Sequence, residues 1–200
     1  MELKNYTEDN NIIEEIIEDS IAEKVGIEVG DILLSINDMP VKDIIDYKYL
    51  ISDEYIEVSI EKKNGEVWRY EIEKDYDEDL GIVFTNPLID RAKSCRNKCI
   101  FCFIDQLPPN MRKTLYFKDD DSRLSFLQGN FITLTNMTDD EIQRIIDYKL
   151  TPINVSVHTT NPELRIKMLN NKNAGKIYDI LKRFSDAKLE INCQIVLVPG

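Results

Sequence analysis

Three cysteines fall within eight residues, Cys95-Arg-Asn-Lys-Cys99-Ile-Phe-Cys102, with Phe101 directly before the last thiol. Thiols crowded on one segment in a C-x3-C-x2-C spacing make a poor disulfide set and a good cradle for a metal ion or cluster. Zinc would need a fourth protein ligand, and His158 and Cys193 are the candidates. A cubane 4Fe–4S cluster held by three thiolates instead leaves one iron open for chemistry. The loop must also be carried by a fold that can deliver other groups to it.

The residues after the loop suggest such a fold. Phe131–Asn136 reads as a strand. Thr138-Asp-Asp-Glu141 is a capping box, with Ile142, Ile145 and Ile146 at helical spacing behind it. Ile153–Val157 is a second strand, Asn161-Pro162 caps another helix, and Ile177, Ile180, Leu181 and Phe184 form a further helical stripe. Ile191–Val198 is a third strand, rich in β-branched residues. A short strand near Ile82–Phe84, or just before Cys95, would open the series. Alternation of this kind predicts a parallel sheet with right-handed crossovers. In α/β barrels chemistry gathers at the carboxyl ends of strands, where Cys95–Cys102, Asn136 and His158 would lie. His158, the only histidine, suits either substrate contact with proton transfer or a structural hydrogen bond. Cys193, mid-strand, reads as a small buried hydrophobe. The charge run Lys118–Arg123 reads as a solvated turn.

The first half is built differently. Ser20-Ile-Ala-Glu23 is a capping box for a short helix that Gly26 would stop. Ile32–Ile36 reads as a strand, Asn37-Asp38 as a turn and Asp43–Leu50 as a helix. Ile56, Val58 and Ile60 alternate, Asn64-Gly65 predicts a type I′ turn, and Trp68, Tyr70 and Ile72 alternate back. Trp68 is expected in the core.

Charge divides the chain near residue 90. Residues 1–90 hold 25 acidic and 8 basic side chains, a net of −17, against 12 and 17 in residues 91–200, a net of +5; together these give the −12 of the whole chain. The acidic half argues against nucleic-acid binding. There is no run of 18 apolar residues to span a membrane. Met1–Asn5 lacks the basic start of a signal peptide, so the default location is cytoplasmic.

Two resemblances follow from these motifs. Ser20–Val41, within residues 8–75, resembles a bacterial-type PDZ domain. Such domains add a peptide as an extra strand and capture its terminal carboxylate with backbone amides. Leu80-Gly-Ile-Val-Phe84 has the character of the carboxylate loop but follows the hairpin, as in a permuted arrangement. The cysteine motif, with Lys118–Leu127, Gly129–Asn136 and Ser156-Val-His-Thr-Thr160, resembles bacterial radical S-adenosylmethionine (SAM) proteins that carry an N-terminal PDZ-like domain. That group is described as iron–sulfur oxidoreductases with a C-terminal domain of unknown function. The resemblance implies that Cys95, Cys99 and Cys102 hold a 4Fe–4S cluster and that S-adenosyl-L-methionine chelates the open iron. It also implies that Phe101 lies against the adenine. The superfamily's Gly-Gly-Glu motif, which holds the SAM amino group, is replaced by Thr135-Asn136-Met137, so Asn136 is the local candidate for that contact. Asn192 and Gln194 stand where ribose contacts are made. A one-electron reductant such as a ferredoxin or flavodoxin is implied as partner.

The expected architecture is α/β plus α+β: a PDZ-like domain over residues 1–78 and the N-terminal part of a (β/α) barrel with parallel strands over 79–200. The apolar stretch ending at Gly200 suggests a fragment of a longer product, and a truncated chain of this kind is expected to be inactive alone. The alternative function is a PDZ-like peptide-binding adaptor with a structural iron–sulfur or zinc site.

Overall fold

In the computed structural model, which describes residues 11–199, the chain falls into two units, Met1–Arg91 and Ala92–Gly200. The N-terminal residues Met1–Asn5, the start of the PDZ-like stretch at residues 8–10, and Gly200 lie outside the described residues.

The first unit is a PDZ-like β structure. Its elements are β1 (Ile13–Ile16), α1 (Ile21–Val25), β2 (Ile32–Ile36), β3 (Met39–Pro40), α2 (Ile44–Leu50), β4 (Tyr55–Glu61), β5 (Val67–Glu73) and β6 (Ile82–Phe84). Four strands form an antiparallel sheet in the order β3-β2-β4-β5, and β1 pairs with β6. Ile56, Val58 and Ile60 of β4 are fully buried, as their alternation requires. In β2 a register shift between Leu33 and Ser35 resets the pleat, so that Leu33 and Ile36 both face inward. Each such buried side chain contributes about 1.5–3 kcal/mol.

Local signals act here with two changes. Ser20 accepts the Glu23 amide and Gly26 ends α1 in the left-handed region, but the Glu23 carboxylate takes the Asp19 amide rather than that of Ser20. The β4–β5 turn is not type I′. Among residues 62–66 only Gly65 has positive φ, the Gly65 amide bonds the Lys62 carbonyl, and the Lys62 amide bonds that of Glu66. This is a type I turn closed by a glycine bulge, the three-residue hairpin solution.

Trp68 is 49% exposed and not in the core. It lies on β5, the edge strand, and only Ile72 of that strand is buried. Its indole donates to Glu66, and the Lys62 ammonium sits 5.6 Å from the ring centroid. Ile82–Phe84 pairs antiparallel with β1 and so belongs to this unit instead of opening the parallel series.

The second unit is mixed α/β. It contains α3 (Ser122–Gln128), α4 (Asp139–Asp147), β7 (Ile153–Ser156), α5 (Pro162–Leu169), α6 (Ile177–Asp186) and β8 (Ile191–Gln194), with 3-10 turns at Lys113–Tyr116 and Lys172–Lys176. Parallel strands are fewer than expected. β7 and β8 run parallel, Ile153 against Ile191 through Ser156 against Gln194, and Ile132 adds a single parallel bridge to Val155. Phe131–Asn136 is otherwise not a strand. The Asp120 carboxylate captures the Thr133 amide and hydroxyl, and Leu134 turns into the left-handed region at φ 61°. The expected barrel segment is therefore a small parallel sheet among the described residues.

The Ile153, Val155 and Val157 side of β7 packs with Ile142 and Ile145 of α4 and Ile177, Ile180 and Phe184 of α6. The Thr138–Glu141 capping box forms in full, and the Asn161 side chain caps α5 as expected. β8 stops at Gln194, short of Val198, and Cys193 is exposed rather than buried. It pairs with Val155 in register.

Candidate metal centre

The cysteine loop is suspended from both flanks. The Cys95 amide bonds the Lys118 carbonyl, while the amides of Lys98 and Ile100 bond the carbonyls of Leu169 and Met168 at the end of α5. Cys95, Cys99 and Cys102 are free and half-buried. Burial, with the nearby Cys95 and Cys102 sulfurs, pushes the Cys99 thiol up to about 11. The Cys95 thiol is also raised by burial, against the opposing pull of Asn97 N–H groups. The Cys95 and Cys99 thiols therefore keep their protons near neutral pH, and loading a metal would release them.

Among the described residues no set of three or more His, Cys, Asp or Glu side chains is arranged to hold a metal ion. The same holds for the sets that would add His158 or Cys193 as a fourth zinc ligand. The donor chemistry still fits a thiolate-bound cluster in kind. Three soft sulfur donors share one loop, and Cys99 lies within electrostatic reach of the other two.

Charged and amide groups surround the sulfurs. Lys118 pairs with Asp105, and both interact with Cys102. The Lys118–Arg123 run is not a solvated turn: Asp120, Asp121 and Arg123 are buried. The Asp121 carboxylate caps α3 and pairs with Arg123.

Phe101 meets His158 edge to face at 4.6 Å. The His158 Nδ1 accepts the Val196 amide at 3.3 Å, and burial with nearby Arg165 holds its pKa down to about 4. The ring is thus neutral at physiological pH, with its proton on Nε2. Asn136 Nδ2 donates to the Ser94 carbonyl at 2.9 Å, while its buried Oδ1 has no partner among the described residues. An orphaned acceptor of this kind is suited to a ligand N–H. An open cavity of about 510 Å³ adjoins it, lined by Arg96, Thr138, Asn171 and Lys172 among others. Asn192 bonds Asn154, and Gln194 bonds Ser156, so both lie on one exposed face of the β7–β8 pair.

Sequence reasoning did not single out Arg165. Its guanidinium, 1% exposed, donates to the carbonyls of Val157, Ala174, Thr133 and Ser156. No short motif marks such a residue, because its partners are scattered along the chain.

In the first unit, the Gly81 amide donates to Asp79 Oδ1 at 2.9 Å. The Tyr47 hydroxyl donates to the same oxygen at 3.0 Å, and the Tyr47 ring stands edge-on to Phe84. Gly81 is at φ 78°, and a Cβ there would lie 2.3 Å from Ser20 Cβ, so only glycine fits.

The family model described as a radical SAM-like domain matches residues 74–200, and that of a PDZ domain matches residues 12–62. Among solved structures, the PDZ domain of the SdrC-like protein from Listeria innocua is 18% identical, with a TM-score of 0.32, covering 39% of this chain and 96% of that one. The PDZ domain of the SdrC-like protein from Listeria monocytogenes is 19% identical, with a TM-score of 0.32, covering 42% and 95%. No curated protein matches the chain.

Proposed function

The chain belongs to the radical SAM-like domain family, and from that premise we propose that it is a radical SAM enzyme, binding a 4Fe–4S cluster through Cys95, Cys99 and Cys102. The observation that supports this most is the three thiols on one doubly anchored loop, with Cys99 under the influence of both neighbours. The chemistry supplied by such a cluster with SAM is one-electron reductive cleavage of the sulfonium carbon–sulfur bond, releasing methionine and a carbon radical that takes hydrogen from a substrate.

The chain's own side chains bind and orient. Phe101 offers an aromatic surface for the adenine, held in place by the edge of His158. Asn136 Oδ1 offers the acceptor for the SAM amino group that a glutamate supplies elsewhere in the superfamily. Asn192 and Gln194 present amides for the ribose. His158, neutral, offers an Nε2 donor to substrate rather than a charge. The electron comes from a one-electron donor of the ferredoxin or flavodoxin class. No described helix is long and apolar enough to cross a membrane.

Anaerobic reconstitution tests the reading. The wild-type chain should turn brown and hold about four irons. Cys99→Ala should lose them, and SAM should change the electron paramagnetic resonance spectrum of the reduced cluster. A colourless zinc protein, or full iron loading with all three cysteines replaced by alanine, refutes it.

A second reading, peptide capture by the first unit, is favoured by the PDZ match. It requires a peptide carboxylate to displace Asp79 from the Gly81 amide.

A further inference from the structure

Asn97 lies between the first two cysteines of the motif, is 3% exposed, and has every hydrogen-bonding group of its side chain committed. Its Nδ2 donates to Cys95 Sγ at 3.3 Å and to Thr133 Oγ1 at 2.9 Å. Its Oδ1 accepts from Thr135 Oγ1 at 3.0 Å and from Asn171 Nδ2 at 2.7 Å.

The network admits one orientation of this amide. The Asp120 carboxylate takes the Thr133 amide at 2.6 Å and the Thr133 hydroxyl at 2.7 Å. The Thr133 hydroxyl therefore donates its hydrogen bond to Asp120 and accepts from Asn97. Asn171 and Thr135 present donors on the opposite edge, so the carbonyl end must face them. A buried carboxylate thus sets, through one threonine, which end of Asn97 meets Cys95. With the amide flipped, Oδ1 would face the lone pairs of Thr133 Oγ1 and Nδ2 would face the N–H donors of Asn171, at a cost of about 1–3 kcal/mol for each unsatisfied group.

We propose that Asn97 is a positioning residue for the cluster: it fixes the Cys95 sulfur in one rotamer and, through its side-chain N–H donor, raises the reduction potential of the cluster that this sulfur holds. The inference rests on the proposed function. Hydrogen bonds to ligand sulfurs withdraw charge and favour the reduced, more negative state, and they are among the means by which proteins tune iron–sulfur potentials.

The test uses the whole chain, reconstituted anaerobically with iron and sulfide and without SAM. Iron content and the midpoint potential from a dithionite-mediated redox titration are compared for wild type, Asn97→Leu and Thr133→Val. Leucine is close in size and removes the side-chain donor. Valine removes only the hydroxyl that orients Asn97. The expected result is equal iron, a midpoint shifted to more negative potential in Asn97→Leu, and a smaller shift of the same sign in Thr133→Val. An unchanged midpoint in a fully loaded Asn97→Leu protein overturns the proposal. If Asn97→Leu fails to fold by far-ultraviolet circular dichroism, Thr133→Val decides: a negative shift supports the proposal and an unchanged midpoint overturns it. A wild-type chain that takes up no iron refutes the proposed function and removes this inference with it, an outcome distinct from a cluster that ignores Asn97.

Discussion

Arg165 shows how a single side chain can tie separated segments together. One guanidinium serves four carbonyls from three stretches of chain, those of Thr133, Ser156 and Val157, and Ala174. Burial lowers its pKa to about 10, partly offset by Asp120 and Cys99, so it stays charged at neutral pH. Arg165→Met should leave those carbonyls unsatisfied and cost about 3–5 kcal/mol, read as a lower urea midpoint; a loss under about 1 kcal/mol would show that water replaces the guanidinium. His158 makes a pH prediction. Its folded pKa is near 4, against 6.5 for the free imidazole. Between these values the unfolded chain binds more protons, so this group makes stability fall as pH drops from about 6.5 to about 4. Wild type should lose more stability than His158→Gln over that window in urea titrations at several pH values. Parallel curves would show that His158 does not hold its proton off.

At the scale of elements, end signals carry the local structure. Thr138 accepts the Glu141 amide while Glu141 takes the Thr138 amide, and Lys93 reaches the same Glu141 carboxylate from outside the helix. Thr138→Ala should cost about 1 kcal/mol, measured by thermal unfolding, and a neutral result would mean that packing of Ile142 and Ile145 alone starts α4. In the first unit, the loop before β6 has its Gly81 amide already engaged by Asp79. Under the peptide-capture reading, a fluorescent peptide with an apolar C-terminal residue should bind Asp79→Asn more tightly than wild type, because the competing carboxylate loses its charge. Equal affinities would place any peptide site elsewhere.

For the whole molecule, the division after Arg91 separates two hydrophobic interiors. Leu33, Ile36, Ile56, Val58 and Ile60 are buried in the first, and the α4–β7–α6 set forms that of the second. Residues 1–91 should therefore fold alone and melt cooperatively. Because residues 1–90 carry a net −17, added salt should raise that midpoint by screening self-repulsion. A broad, salt-independent transition with collapsed amide dispersion would show that the unit depends on the rest of the chain.

The sequence alone determined features whose partners lie within a few residues: the caps at Ser20, Thr138 and Asn161, the β4–β5 hairpin, the helical stripes, and the cysteine spacing with Phe101 inside it. Capping and periodicity are local, so composition and order suffice to specify them. Tertiary structure decided what depends on distant partners. Trp68 alternates like a core residue but sits on an edge strand. Ile82–Phe84 pairs back to β1. Phe131–Asn136 yields to Asp120, which draws Thr133 out of the strand pattern. The charged Lys118–Arg123 run carries three buried residues because Thr133, the Lys93 amide and local ion pairing receive them. The surroundings of the cysteine loop belong with this second group: Asn97, Asp120, Thr133 and Arg165 meet there only once segments far apart in sequence pack together.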